Sequence, residues 1–191
     1  MERHADDLVA LLDHLGVEKA DVIGLSMGGY VQWALWERHP DRVRSLALLN
    51  TRATADDAQA RAKRDTAATS LVEEGRATWA RDMVGVLVRQ NAGVEVRAQV
   101  QAMIEHTRHD VIAAALMGMK ARPDRTGLLA GIDVPTLVLA SEQDTTTPPE
   151  GMRAMAAAIP GAVFELLGGV GHLTPLEAPE AVTAALRRFL A

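Results

Sequence analysis

Apolar residues recur at Leu8, Leu11, Leu12 and Leu15, the i, i+3, i+4, i+7 spacing of one helix face, and the pattern stops at Gly16. A short run follows, Ala20-Asp21-Val22-Ile23-Gly24, too short for a helix and β-branched at its centre. It predicts a buried parallel strand. A glycine-rich corner leads into an apolar helix through Tyr30, Val31, Trp33, Ala34 and Leu35. That helix ends at His39-Pro40, because the residue before proline avoids the helical region. Ser45–Asn50, Pro135–Ala140 and Val163–Leu167 read as three further strands. Pro148 and Pro149 open a helix that runs to Ile159, and a last helix spans Pro179 to Leu190.

Between Thr51 and Leu129 the pattern changes. Ala, Arg, Glu and Gln dominate at helical spacing, with breaks at Gly75, Gly93, Pro123 and Gly127. About four helices and no strand are expected there. Strands that alternate with helices imply an α/β fold, a parallel sheet of about four strands with helices on both faces. The division is then 1–50 and 130–191 for the α/β core and 51–129 for an inserted helical block. Such a block lies over the carboxyl ends of the strands, where ligands bind in open α/β sheets.

Composition narrows the class. With 191 residues, 48% of them hydrophobic, the chain can bury a core without staples. The absence of cysteine excludes thiolate catalysis, iron–sulfur clusters and cysteine zinc sites. A net charge of −5 and only 3% aromatic residues argue against nucleic acid and against an anionic membrane as partners. The opening MERHADDLVALL carries charges in its first turns and has no apolar core of a signal peptide. A cytoplasmic enzyme acting on a small molecule is the expectation.

Gly24-Leu25-Ser26-Met27-Gly28 is a G-x-S-x-G segment placed directly after a strand and before a helix. A serine on such a sharp turn is exposed at a helix N-terminus, where the dipole favours negative charge. Small flanking residues avoid collision with strand and helix, which accounts for both glycines. The backbone N–H of Met27 can then donate to a developing oxyanion. Serine needs a base to become a nucleophile. Of six histidines, His172 follows the last strand in the flexible loop Gly168-Gly169-Val170-Gly171-His172. His4, His14 and His39 fall on helices, and His39 reads as a surface cap. His106 and His109, with Glu105 and Asp110, form a weaker candidate for metal binding, with no obvious third ligand. The orienting acid is Asp144, beyond the third strand, with Glu142 as the alternative. The order Ser26, Asp144, His172 is a serine–acid–histidine order.

These pieces resemble the α/β-hydrolase family: GLSMGGYVQWALWERHPDRVRSLALLNT at the nucleophile, PTLVLASEQDTTTPP at the acid and GVGHLTPLEAPEAV at the base. The similarity is to small carboxylesterases, 3-oxoadipate enol-lactonases and haloperoxidase-like enzymes. It implies a Ser26 nucleophile, a His172 base, an Asp144 orienting acid, an oxyanion donor at Met27 and a helical lid from Thr51. It implies no cofactor and no metal. Leu25, Met117 and Leu173 are the candidate substrate contacts, and Arg52 or Arg122 could meet a substrate carboxylate. Met83, Met103, Met117 and Met119 suggest an adaptable apolar pocket or ordinary helix packing. Trp33 and Trp36 read as core.

The expected activity is hydrolysis of small esters or lactones through an acyl-enzyme. The alternatives are perhydrolase or haloperoxidase-like activity on the same triad, and a weakly active or non-catalytic hydrolase-fold fragment that acts through assembly. Relative to the family pattern, four strands and the oxyanion loop before the nucleophile strand are not found. Two expectations follow. Ala20–Gly24 should be an unpaired apolar sheet edge that invites a homodimer or higher oligomer. With one oxyanion donor identified, turnover should be slow.

Overall fold

The computed structural model describes all 191 residues. Helix α1 (Glu2–His14) leads to strand β1 (Ala20–Leu25), helix α2 (Met27–Arg38) and strand β2 (Val43–Leu49). Four helices follow without a strand: α3 (Ala58–Glu73), α4 (Arg76–Leu87), α5 (Val94–His106) and α6 (His109–Ala121). A 3-10 turn at Thr126–Gly131 returns the chain to β3 (Thr136–Ser141). Then come α7 (Pro149–Ala157), β4 (Val163–Leu167), a one-turn helix α8 (Thr174–Glu177) and α9 (Pro179–Leu190). Every strand and long helix predicted from periodicity is present. Helix α8 and the 3-10 turn are too short for a periodic signal.

The sheet order is β1-β2-β3-β4, all parallel. Side chains alternate between its faces. Leu46 and Leu48 of β2 and Val138 and Ala140 of β3 enter the larger core, under α2 and α7, with Trp33, Leu35 and Met152. Ala47, Leu49, Leu137 and Leu139 face the other way and meet Val182 and Ala185 of α9. Gln32 is the one polar side chain inside the α2 contact. Its Nε2 donates to Val22 O at 2.7 Å and Ala47 O at 3.1 Å, stitching β1 to β2.

The helical block is bolted to this core by buried arginines. Arg122, 4% exposed, pairs with Asp56 at 2.7 Å and stacks 4.1 Å from the Tyr30 ring centroid. Burial alone would raise the Asp56 carboxyl, but the Arg122 hydrogen bond and charge outweigh it and hold it below its ordinary value. Arg122 is therefore held within the fold by Asp56, by the Met119 and Thr54 carbonyls and by the Tyr30 ring. Arg125 bridges Glu2 at 2.6 Å and Glu37 at 2.9 Å.

The apolar face of α1 is not covered. Ala5, Met1 and Val9 pack on the core, while Leu8, Leu11 and Leu15 are 37%, 51% and 61% exposed. β1 pairs only with β2, and Ile23, on the α9 face of the sheet, is 46% exposed. The edge strand expected from the sequence is thus an edge, flanked by apolar side chains on both faces. No helix is long and apolar enough to cross a membrane.

Candidate active site

The turn between β1 and α2 holds Ser26 at φ 51°, ψ −109°. This positive φ is costly for a residue with a Cβ, and persists only where the surroundings enforce it. They do so here. Ser26 N–H donates to Leu49 O at 2.9 Å, its C=O accepts Gly29 N–H at 3.0 Å, and Thr51 Oγ1 donates to the same oxygen at 2.8 Å. Met27 is the first residue of α2, so its N–H has no intrahelical partner.

The glycines of this turn differ from the expectation. A Cβ on Gly24 would lie 2.4 Å from Gln32 Oε1 and 2.7 Å from the Gly28 carbonyl carbon. A Cβ on Gly29 would lie 2.3 Å from Thr51 Oγ1. Gly28 meets nothing within 4 Å. The crowded pair is Gly24 and Gly29; Gly28 opens on the groove between α1 and α2 lined by Leu8, Leu11, Met27 and Val31.

Asp144 is buried beyond β3. Its Oδ1 accepts the N–H groups of Thr146 at 2.7 Å and Thr147 at 2.9 Å. Its Oδ2 accepts Asn50 Nδ2 at 2.8 Å and the Thr147 hydroxyl, and lies 2.7 Å from His172 Nδ1. Burial pushes the Asp144 carboxyl up, but the hydrogen bond and charge of His172, with Thr147, bring it below its ordinary value. An ionised Asp144 fixes the proton of His172 on Nδ1, which leaves Nε2 as the basic nitrogen. Glu142, the alternative acid, is exposed, and accepts Gly169 N–H at 2.8 Å. It shapes the histidine loop instead.

Ser26 and His172 follow the two outer strands, three strand spacings or about 14 Å apart. The loop after β4 closes that distance by crossing the sheet end. Val170 O accepts Gln143 N–H at 2.9 Å, just beyond β3, and Gly171 O accepts Ser141 Oγ at 2.6 Å, on the last residue of β3. Thr174 Oγ1 then donates to Asn50 Oδ1 at 3.1 Å, at the end of β2. β2 is the neighbour of β1, so the histidine loop is carried to the strand beside the Ser26 turn.

The α/β hydrolase fold profile matches residues 1–179. The chain belongs to the α/β-hydrolase family. A thermophilic esterase from Thermogutta terrifontis superposes with a TM-score of 0.93 at 40% identity, over 99% of this chain and 71% of that one. The enol-lactonase from Burkholderia xenovorans LB400 gives 0.86 at 30% identity, over 99% and 72%. By sequence, 3-oxoadipate enol-lactonase 2 of Acinetobacter baylyi is 29% identical over 96% of this chain and 69% of its own length. These relatives are hydrolases, and the chain falls in that class of enzymes.

Other residues of this α/β-hydrolase take places that sequence reading did not assign. Asn50, wholly buried at φ 43°, links Asp144, Ser141 and Thr174. The signal was an asparagine at a strand end, the residue type that tolerates positive φ and carries both a donor and an acceptor. Thr51 and Thr147 brace the serine and the acid. Among the candidate substrate contacts, Leu25 ends β1 and Leu173 adjoins His172, packing on Val84, Val88 and Val100. Met117 is 38% exposed on α6 and belongs to none of the buried clusters, whereas Met119 packs in two of them. Met103 is also exposed. His106 ends α5 and His109 starts α6, so they do not share a helix face. No group of three His, Asp or Glu side chains is placed to hold a metal ion. A cavity of about 550 Å³ beside the acid loop is lined by Thr51, Arg52, Leu129, Thr147, Met152 and Met155, without Ser26 or His172.

Proposed function

We propose that the chain is a serine hydrolase of small carboxylic esters or lactones, with Ser26, His172 and Asp144 as its triad. The observation that carries this reading is the 2.7 Å contact of buried His172 Nδ1 with buried Asp144, on a loop led across the sheet towards the strained Ser26 turn. The esterase and enol-lactonase activities named for its relatives agree with it. Ser26 Oγ attacks the carbonyl carbon while His172 Nε2 takes its proton. The tetrahedral oxyanion is received by Met27 N–H. As the C–O bond breaks, imidazolium returns the proton to the leaving alcohol. Water, activated by the same nitrogen, then hydrolyses the acyl-Ser26 ester and regenerates the hydroxyl.

The test is labelling by a fluorophosphonate and turnover of p-nitrophenyl acetate. Ser26→Ala should abolish the first and reduce the second to background; unchanged turnover in Ser26→Ala overturns the reading. The block at 51–129 is proposed as the lid of this site.

We also infer self-association through the β1 edge, supported by the exposure of Ile23 on that strand and of Leu8 and Leu11 on α1. Light scattering should show a dimer that Ile23→Lys or Leu11→Glu converts to monomer. A wild-type monomer at high concentration excludes it.

A further inference from the structure

Three consecutive peptide units around His172 are pinned by hydrogen bonds, and one of the partners, Leu87, belongs to the helical block rather than the core. The Val170–Gly171 unit donates its N–H to Glu177 Oε2 at 3.2 Å and accepts from Gln143 at 2.9 Å. The Gly171–His172 unit accepts Ser141 Oγ at 2.6 Å. The His172–Leu173 unit donates its N–H to Leu87 O at 3.2 Å, and Leu87 is the last residue of α4 in the helical block. Two residues on, Arg89 N–H donates to the same Glu177 Oε2 at 3.0 Å. The Glu177 side chain is 0% exposed, and its Oε1 has no hydrogen-bond partner. The nearest cationic atom, Arg89 Nε, is 3.9 Å away. The hydrogen bonds to this buried carboxylate therefore come from two backbone N–H groups, one on the block and one on the residue before His172. Gly171 makes room for it: a Cβ there would lie 2.5 Å from Arg89 N and 2.7 Å from Glu177 Oε1.

We propose that Glu177 is a positioning residue for His172, a clamp through which docking of the helical block sets the geometry of the base. The catalytic consequence rests on the serine-hydrolase reading; the placement of His172 does not. Hydrogen bonds from N–H to a carboxylate are stronger than neutral ones, so the clamp is stiff. Releasing it leaves the Gly171 and Arg89 N–H groups without their acceptor and removes one of the bonds that hold the peptide before His172. A misplacement of about 1 Å at a catalytic group can lower the rate by about 10²-fold.

The experiment compares Glu177→Ala, Glu177→Gln and Gly171→Ala with wild type. One readout is p-nitrophenyl acetate kinetics. The other is the downfield proton resonance of His172 Nδ1–H in its bond to Asp144, which reports placement without any turnover. Glu177→Ala should lose about 10²-fold in kcat with little change in KM, and the resonance should shift or broaden. Glu177→Gln keeps one oxygen acceptor and should recover most of the rate and the resonance. Gly171→Ala, which forces the carboxylate aside, should mimic Glu177→Ala and decides the matter if the latter does not fold. A folded Glu177→Ala or Gly171→Ala with wild-type kcat and an unmoved resonance overturns the proposal. If wild-type turnover proves independent of Ser26, the hydrolase reading fails, and the resonance alone still decides the placement of His172.

Discussion

At the ends of β3 and β4, Asp144 collects hydrogen bonds from Asn50, Thr146, Thr147 and His172, and the histidine loop is pinned peptide by peptide. At β1, on the opposite edge, Gly28 faces open space, and Leu11 and Ile23 are about half exposed. The same G-x-S-x-G turn spans both environments. Its Gly24 is jammed against Gln32 and its Gly28 touches nothing. The geometry of the serine is thus enforced from below and behind, by β2, Gln32 and Thr51, and not from the β1 edge. One half of the candidate site is over-determined, and the other stands on a few braces.

The largest effect should come from breaking the over-determined half. Asp144→Asn preserves volume and retains an oxygen for the Thr146 and Thr147 N–H groups. Its amide nitrogen, however, turns a donor towards Asn50 or His172, and the proton of His172 is then driven to the wrong nitrogen. Turnover is expected to fall about 10⁴-fold with the far-ultraviolet circular dichroism unchanged. A loss below tenfold would remove Asp144 from the proposed triad.

A second test sets the two motif glycines against each other. Gly24→Ala drives a methyl into Gln32 and the Gly28 backbone, an overpacking of about 1–3 kcal/mol. Gly28→Ala, in the first turn of α2 with free space around it, should be neutral or stabilise by up to about 1 kcal/mol through helix propensity. Urea unfolding of the two variants gives the difference directly. Equal destabilisation would mean that Gly28 is covered in solution.

The sequence made the strands, the long helices and the three triad candidates legible, because each rests on local pattern: apolar runs of strand length, a turn between strand and helix, polar residues just beyond strand ends. Two kinds of feature escaped it. Asn50, Thr51 and Glu177 act across 94, 25 and 88 residues of chain on partners fixed only by the tertiary fold. No periodicity marks them. The spacing of Leu8, Leu11 and Leu15 predicted an apolar helix face correctly, but periodicity says nothing about whether anything covers it. Similarly, steric reasoning on G-x-S-x-G assumed neighbours on both sides of the turn. It held for Gly24, which meets β2 and α2, and failed for Gly28, which meets the open groove.

The smallest expected effect probes what holds the open half in place. Glu2, at the start of α1, reaches across to Arg125, which also holds Glu37 of α2. The Arg125 hydrogen bond is the main reason that the Glu2 carboxyl is lowered from 4.5 to about 2. A group whose folded-state value is depressed contributes stability above its unfolded value and loses it as pH falls through the folded one. The contribution should be complete above about pH 4.5 and fade towards pH 2. Because the Glu2 side chain is 45% exposed, solvent screens the pair and keeps its worth to about 1 kcal/mol or less. Asp144, also held below its ordinary value, loses stability in the same direction, so the wild-type pH profile mixes both halves. The difference between wild type and Glu2→Gln isolates one of them. It should be present at pH 6 and shrink steadily below pH 4.5, whereas a difference independent of pH would show that Glu2 braces α1 by packing rather than by charge.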